Sequence, residues 1–315
     1  MANYIDYDQL FPPDKTTEKA TITVKSKSAD VPTHANAFNI YELPFPNMKF
    51  DVEVDHFMYQ RIDLQDIKAS LRTTKDHYIY VDKLNMNAAG GSLKMTGYFN
   101  GSDPKHIYMK PKIEATNIDL DKFLFKFENF GQDHLVSENL KGYVSTTIDG
   151  NIRVYPDLVP DLDQSEVHMD VKVFNGKLQN YEPMKMLSNY MGDKNLTNIK
   201  FDTLQNHLDI KNGRINIPNM TIESTLGHME LSGTQDLNNN IEYYVRIPWK
   251  TVKQAAKYKL FKSKKNSGNS VEEDEIIEVD PNKKIKYLNL KLHGTVDDFK
   301  VSMKKKSNLN YIIFN

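Results

Sequence analysis

Apolar and polar residues alternate one by one along many short stretches of this chain. In MKFDVEVDH, residues 48–56, Met48, Phe50, Val52 and Val54 fall on one side and mostly charged residues on the other. A period of two is typical of a β-strand with one buried face. The same alternation recurs in EVHMDVKV, IEYYVRI and LNLKLHG. The pattern therefore predicts a mainly β protein whose strands each have one apolar and one polar face.

Short turn segments separate the alternating stretches. FNG at 99–101, NG at 175–176, KNG at 211–213 and DLNNN at 236–240 each predict a turn. Turns this short join antiparallel neighbours, because a parallel crossover needs a dozen or more residues. The sequence therefore predicts an antiparallel meander.

One stretch occurs twice, 136 positions apart (217 − 81). IPNMTIESTLGHMELSG, residues 217–233, matches VDKLNMNAAGGSLKMTG, residues 81–97, in character at most positions without a gap. Each copy predicts a strand, a corner and a returning strand that closes on Gly97 or Gly233. Because such units bury their apolar faces only by stacking, we expect an elongated, curled antiparallel β-sheet, a β-groove or half-barrel, with two or three short helices packed on it.

A curled sheet of this kind would place its apolar side chains inside a trough and its charged side chains in water. The alternative is that the apolar face packs against the other arm of the sheet and the helices, and periodicity does not separate the two. The predicted groove-lining residues are Val52, Val54, Leu93, Met95, Val144, Met169, Val171, Leu208, Ile210, Ile215, Ile217, Ile222, Met229, Leu231, Tyr243, Val245, Leu290 and Leu292.

Three segments break the alternation and are predicted to be helices: 119–130, 182–192 and 249–262. The third is basic and amphipathic. Its composition suits an anionic membrane surface, whereas its narrow, alanine-rich apolar face suits packing on the sheet. The predicted membrane-contact residues are Trp249, Lys253, Lys257 and Leu260.

The predicted organisation is one β-domain over 47–303, preceded by an N-terminal strand and linker over 1–46. Residues 263–284 change from lysines to acids with little to bury, which predicts a disordered insertion in that domain. Residues 304–315 form a C-terminal tail, either one last strand or a membrane-touching end.

The amino-acid composition limits the kinds of partner and functional site that the chain is expected to have. Lys and Arg number 41 against 42 Asp and Glu, which gives no reason to expect nucleic acid as a partner. Cysteine is absent, none of the histidines lies at metal-ligand spacing from another, and no catalytic motif is present. The sequence therefore predicts no enzyme activity, no metal and no cofactor. A carbohydrate-active enzyme would need two carboxylates facing one cleft, and the sequence identifies no such pair.

The sequence predicts neither a secretory signal nor a membrane-spanning segment. The first residues do not form a secretory signal, and no segment approaches the roughly 18 apolar residues of a membrane span.

Four short sequence motifs follow one another in the second half of the chain. They are a strand opening (Asn175, Gly176, Leu178), a strand with a glycine turn (Leu208, Ile210, Gly213, Ile215, Ile217), a returning strand (Met229, Leu231, Gly233, Asp236, Leu237) and a closing segment (292–298). In this order and spacing they resemble the C-terminal region of the AsmA family, relatives of TamB. The resemblance covers roughly residues 48–303 and is strongest after Ser165.

The resemblance implies a periplasmic envelope protein of a double-membraned bacterium. Members of that family are anchored in the inner membrane by an N-terminal helix and are linked to outer-membrane biogenesis and phospholipid traffic. The printed residues do not predict such a helix, so the resemblance implies that they correspond to a C-terminal portion of such a protein. We therefore expect a non-enzymatic β-groove that binds phospholipid acyl chains and contacts the inner membrane, the outer membrane or both. The alternative is a closed β-scaffold that acts as an assembly or interaction factor for outer-membrane proteins.

Overall fold

The computed structural model describes residues 2–6, 40–42, 44–59, 62–122, 138–156, 160–181, 196–249, 253, 286–296 and 298–303. Within them the chain forms fourteen strands and a short 3-10 helix, Ile40–Glu42. The strands are β1 (Ala2–Asp6), β2 (Met48–Tyr59), β3 (Ile62–Thr73), β4 (Tyr78–Ala88), β5 (Gly91–Asn100), β6 (Tyr108–Asp119), β7 (Leu140–Val154), β8 (Pro160–Gln179), β9 (Asn198–Lys211), β10 (Arg214–Ser224), β11 (Gly227–Asp236), β12 (Asn240–Pro248), β13 (Tyr287–Thr295) and β14 (Phe299–Met303).

All fourteen strands belong to one sheet, and their order in the sheet is their order in the sequence. From β2 to β14 each strand pairs antiparallel with the next, while β1 pairs parallel with β2. The sheet is open and curled. The predicted fold class, an elongated antiparallel meander, is therefore confirmed.

The duplicated stretch forms two bulged hairpins. The ladder of β4 and β5 shifts by one residue between Val81 and Leu84. The ladder of β10 and β11 shifts by one residue between Ile217 and Met220, which is the aligned position of the second copy. Both hairpins close through a two-residue loop. Similar residues at the same spacing thus form the same local structure twice, with the extra residue of the bulge at the same place.

One predicted turn is wrong. Asn175 and Gly176 lie inside β8, which continues to Gln179. Asn175 has φ 50°, and the ladder with β7 shifts nearby, so the pair forms a bulge within a long strand and not a hairpin. Gly176 is buried, and a Cβ at this position would lie 1.8 Å from the Phe201 ring. The glycine is therefore needed for close packing against β9.

Buried apolar side chains form two clusters. The smaller one joins Ile40 of the 3-10 helix to Phe99, Ile107 and Val154 at one end of strands β5 to β7. The Ile40 amide donates to Pro156 O at 3.0 Å, which fixes the helix over this end. The larger, which we call the C-terminal cluster, consists of Leu196, Ile199, Leu226, Met229, Ile241, Val245, Ile247, Leu288, Leu290, Leu292, Val296 and Phe299.

Most of the predicted helical residues lie outside the described part of the chain. At the start of the first segment, the Asp119 carboxylate accepts hydrogen bonds from the Asp121 and Lys122 amides at 3.1 and 3.3 Å, as an N-cap does. Residues 123–130, the segment 182–192 and all of 249–262 except Trp249 and Lys253 are outside the described residues, as are the insertion 263–284 and the tail 304–315.

Candidate functional site: an apolar strip across the sheet

Directly paired apolar residues run across the first half of the sheet. In an antiparallel pair, residues opposite each other point to the same side, so a chain of such pairs defines one face. From β2 to β9 one unbroken row consists of Val52, Ala69, Leu84, Met95, Ile113, Ile148, Met169 and Leu208.

A second row continues across the other half. It runs from β10 to β14 through Met220, Leu231, Val245, Leu290 and Met303. Ile210 pairs with Ile215 and connects the two halves. Alternation along each strand places every predicted groove-lining residue on this side, which we call the apolar face; the opposite side is the polar face.

Burial divides the apolar face into two parts. In the C-terminal cluster, Leu290 is 1% exposed and Met229 and Val245 are 7% and 8% exposed. Along the central strands, Met95, Met169 and their neighbours in the row remain half-buried. Side chains of the sheet therefore fill the apolar face at its C-terminal end and leave it partly uncovered in the centre. We call the half-buried positions of β4 to β9 the open segment: Leu84, Met86, Leu93, Met95, Ile113, Ile148, Met169, Val171 and Leu208.

The open segment is chemically uniform. A row beside the first contains Leu93, Ala115, Thr146, Val171 and Asn206, so its polar members are one hydroxyl and one amide. Side chains of this kind offer hydrophobic and van der Waals contact and little directional bonding. The arrangement suits a flexible alkyl chain better than a compact polar ligand.

A seam interrupts the backbone ladder between β9 and β10. The strands pair from Asp209 to Lys211 and again at Phe201, with no paired residues between these two stretches. Pro218 lies in the interrupted part of β10 and has no N–H to donate. The Asn206 amide donates to Pro218 O at 3.1 Å and partly bridges the seam.

The polar face is also indented. A depression of about 550 Å³ over β4 to β7 is lined by Lys83, Lys94 and Lys112 together with Glu114 and Asp149. Lys94 and Glu114 are 3.7 Å apart, and both side chains are more than half exposed. A twisted sheet is saddle-shaped, so both faces can be concave along different directions. Most of the residues that line the depression are polar or charged residues of the polar face, and Met95, Ile113 and Ile148 of the open segment also line it.

The polar face contains a group of possible metal ligands that the spacing of the histidines did not predict. His168, His207 and Asp209 come from two neighbouring strands, and their ligand atoms lie within 4.8 Å of one another. The signal in the sequence was the repeated pattern His-x-Asp, at His168 and Asp170 and again at His207 and Asp209. Spacing within one segment could not find it, because the ligands meet only through strand pairing.

The predicted membrane-contact residues are described only in part. Trp249 follows β12 directly and is 40% exposed, and its amide donates to Lys286 O at 2.7 Å. Lys253 is exposed, and Lys257 and Leu260 lie outside the described residues. Contact of this segment with a membrane therefore stays a prediction. In the described ranges, none of the helical segments combines the length and apolar character of a membrane span.

The raised pKa of Tyr243 predicts that the free energy of unfolding decreases at alkaline pH. Its hydroxyl donates to Gln235 Oε1 at 2.7 Å, and burial, reinforced by the charge of Tyr181, raises the pKa of Tyr243 to about 12. The protonated phenol is thus favoured in the fold. The resulting stability is fully present below the unfolded pKa of 10.0 and is lost as the pH rises towards the folded pKa of about 12. We expect a loss of about 2–3 kcal/mol over this range.

Urea unfolding between pH 9 and pH 12 tests this, with Tyr243→Phe as the comparison. Other tyrosines and the lysines titrate in both proteins, so the difference between the two curves isolates Tyr243. That difference should change steadily above pH 10, and parallel curves would contradict the prediction.

Comparison with protein-family models, with curated proteins and with solved structures found no match.

Proposed function

We propose that this protein is a non-enzymatic, AsmA-like protein of the periplasm whose apolar face carries phospholipid acyl chains between the inner and outer membranes and so supports outer-membrane biogenesis. One observation carries the proposal. The apolar strip runs across the sheet from β2 to β14 and is only half-buried in the open segment. The resemblance of residues 48–303 to the AsmA family supports the same role, and the periplasmic location and inner-membrane anchor rest on that resemblance alone.

The energetics favour such a surface for lipid transfer. An acyl chain in water costs about 0.8 kcal/mol per methylene, so two ordinary tails amount to a barrier on the order of 20 kcal/mol. A strip of Leu, Ile, Val and Met offers comparable contact at every step. Methionine is especially adaptable to irregular partners, and Met86, Met95 and Met169 lie in the open segment. A uniform lining removes most of the barrier without a single tight site that would trap the lipid.

The dimensions also fit. The row from Leu84 to Leu208 in the open segment crosses six strands, which are five strand spacings. At about 4.8 Å per spacing this part of the row is about 24 Å long. One leaflet of a bilayer contributes about 15 Å of hydrocarbon thickness, so the row is long enough for acyl chains lying across the strands.

Photo-crosslinking tests this proposal directly. We would introduce benzoylphenylalanine in place of Met95 on the apolar face, or in place of its neighbour Lys94 on the polar face, and incubate each protein with vesicles that contain radiolabelled phospholipid. The Met95 position should crosslink to lipid at least tenfold more than the Lys94 position. Equal labelling at the two positions, or none at Met95, would contradict the proposed lipid path.

A charge on the apolar face should block lipid binding. Val171→Asp places a carboxylate in the open segment, where water reaches it, so we expect a folded protein with at least tenfold less bound phospholipid after extraction. Lys172→Asp on the polar face is the control and should retain lipid. Leu231→Asp is different, because Leu231 packs against the C-terminal cluster and its replacement should unfold that end of the sheet.

The alternative function is a closed β-scaffold that binds outer-membrane proteins during assembly. The filled apolar face at the C-terminal cluster favours it, since that part offers no space for a lipid. The two proposed functions predict different effects of Val171→Asp on folding. If the whole apolar face is closed, this variant should unfold like Leu231→Asp; if the open segment accepts lipid, it should stay folded.

A further inference from the structure

Two His-x-Asp tripeptides meet on the polar face of β8 and β9. Antiparallel pairing sets His168 opposite Asp209 and Asp170 opposite His207. Each imidazole therefore faces a carboxylate across the strands, and the two imidazoles are diagonal neighbours. Their rings are stacked, with centroids 6.2 Å apart and planes 11° from parallel.

The Asp209 carboxylate lies between the two imidazoles. Asp209 Oδ1 is 2.6 Å from His168 Nδ1 and 3.2 Å from His207 Nε2. Zinc bonds to imidazole nitrogen and carboxylate oxygen are about 2.0–2.2 Å long, so ligand atoms around a tetrahedral ion are about 3.3 Å apart. Both separations are within about 0.7 Å of that value, and all three ligand atoms lie within 4.8 Å of one another. Small rotations of the three side chains would place a cation at their centre.

Asp170 supplies the outer contact that metal-binding histidines usually have. His207 Nδ1 is 2.9 Å from Asp170 Oδ1. With Nδ1 as the donor of this hydrogen bond, the lone pair of the imidazole is on Nε2, which is the nitrogen that faces Asp209. A carboxylate on the far nitrogen orients the ring and makes it a more basic ligand.

We propose that His168, His207 and Asp209 bind a divalent d-block cation, with Zn²⁺ the best fit, and that Asp170 is a positioning residue for His207. Two imidazoles and one carboxylate suit zinc and its neighbours, whereas Mg²⁺ and Ca²⁺ prefer oxygen ligands throughout. Three protein ligands leave a fourth position for water or another ligand, as in open zinc sites.

The surroundings allow a cation to bind. The side chains of His168, His207 and Asp209 are 41%, 49% and 31% exposed, so the ion can enter from solvent. The nearby Lys211 is paired with Glu166 at 2.8 Å, which offsets its positive charge. A bound ion would join β8 to β9 beside the seam where β9 separates from β10.

The competing explanation is a pair of ordinary His–Asp ion pairs without a metal. The chain provides a matched control, since His56 and Asp63 are 3.2 Å apart on exposed parts of β2 and β3. In the described part of the chain, the group of His168, His207 and Asp209 is the one set of three or more such residues close enough to share an ion, and His56 is outside it.

The test is calorimetric titration of the tag-free full chain with Zn²⁺, accompanied by titration with Co²⁺, whose visible absorption reports its coordination. We expect one ion per chain with a Kd in the micromolar range or below. His168→Ala and His207→Ala should each weaken binding at least 100-fold, and Asp170→Asn should weaken it about 10–100-fold. His56→Ala should bind as the unaltered chain does, and circular dichroism would show that each variant is folded.

Any one of the following results would overturn the site: no Zn²⁺ binding at 1 mM, binding that survives His207→Ala, or an equal loss in His56→Ala. Binding of Mg²⁺ or Ca²⁺ as tight as that of Zn²⁺ would also overturn it, because it would indicate an unspecific acidic surface. None of these results depends on lipid, so the metal site and the proposed lipid function are tested separately.

Discussion

Leu290→Ala is expected to lower the free energy of unfolding by about 2–5 kcal/mol, the usual range for a fully buried leucine. Leu290 is 1% exposed in β13 and is paired with Val245 on one side and Met303 on the other. The smaller side chain leaves a cavity in the C-terminal cluster, and the sheet framework around it restricts collapse. Equilibrium unfolding in urea, compared with the unaltered chain at the same pH, measures the loss.

The matched control is Leu208→Ala, in the open segment of the same apolar face. Leu208 is half-buried, so the transfer free energy that it loses is about 1 kcal/mol and no closed cavity forms. The ratio of the two effects therefore reports how much of the apolar face is covered in solution. If Leu208→Ala costs as much as Leu290→Ala, the central face is sealed and the open segment does not exist.

This contrast ties the fold to the proposed function. The main packing contacts of each strand are with its sequence neighbours, so stability is supplied locally along the sheet. A well-packed C-terminal cluster can hold one end of the sheet together while the centre keeps its apolar side chains accessible. A protein that handles lipid needs both properties, because a sealed core excludes the ligand and a fully exposed strip aggregates.

The fold class was predictable because its signal is local. The alternation in β2 requires only that neighbouring side chains point to opposite faces, and short turns then leave the antiparallel meander as the simplest connection. Asn175 and Gly176 show the limit of this inference. The same dipeptide forms a hairpin turn or a bulge, and the close packing of Gly176 against Phe201 decides between them. That contact involves residues 25 positions apart (201 − 176) and is not visible in the local pattern.

Features that depend on register were harder to predict. The cluster of His168, His207 and Asp209 requires that β8 and β9 pair in one particular register, and a shift by one residue would place the imidazoles on opposite faces. The parallel pairing of β1 with β2 has no local signal, since Ala2–Asp6 does not alternate and joins the sheet only through a long-range contact. The sequence alone thus identifies the strands and their apolar and polar faces. A site formed by residues of two different strands can be found only from the structure.

Alanine in place of Gly233 is expected to destabilise the second bulged hairpin strongly. Gly233 has φ +148°, and a Cβ there would lie 2.2 Å from Glu242 O of the neighbouring strand. The backbone strain alone amounts to about 1–3 kcal/mol for a non-glycine residue. The total should be larger, because the opposing carbonyl must also move and weaken the pairing of β11 with β12. Urea unfolding of Gly233→Ala measures the loss.

Gly90→Asn is the control for this substitution. Gly90 also has a positive φ, +78°, but a Cβ there would meet only Lys122 Nζ, at 3.9 Å. Asparagine tolerates the left-handed conformation, so Gly90→Asn should change the free energy of unfolding by no more than about 0.5 kcal/mol. A near-neutral Gly233→Ala alongside a costly Gly90→Asn would contradict the geometry of the closing glycines.

The first copy of the hairpin should respond in the same way, because its structure is the same. Gly97 has φ +143°, and a Cβ there would lie 2.3 Å from Lys110 O. Gly294 ends the alternating stretch LNLKLHG in β13, in the same way that Gly97 and Gly233 end the two copies, and it has φ +135° and a 2.3 Å approach to Asp298 O. If the repeated motif forms one structural unit, alanine at any of the three glycine positions should lower the free energy of unfolding by a similar amount. A large effect at one of them and none at the others would mean that the sequence similarity does not reflect a shared structural requirement, and the sheet would then not be built from repeats.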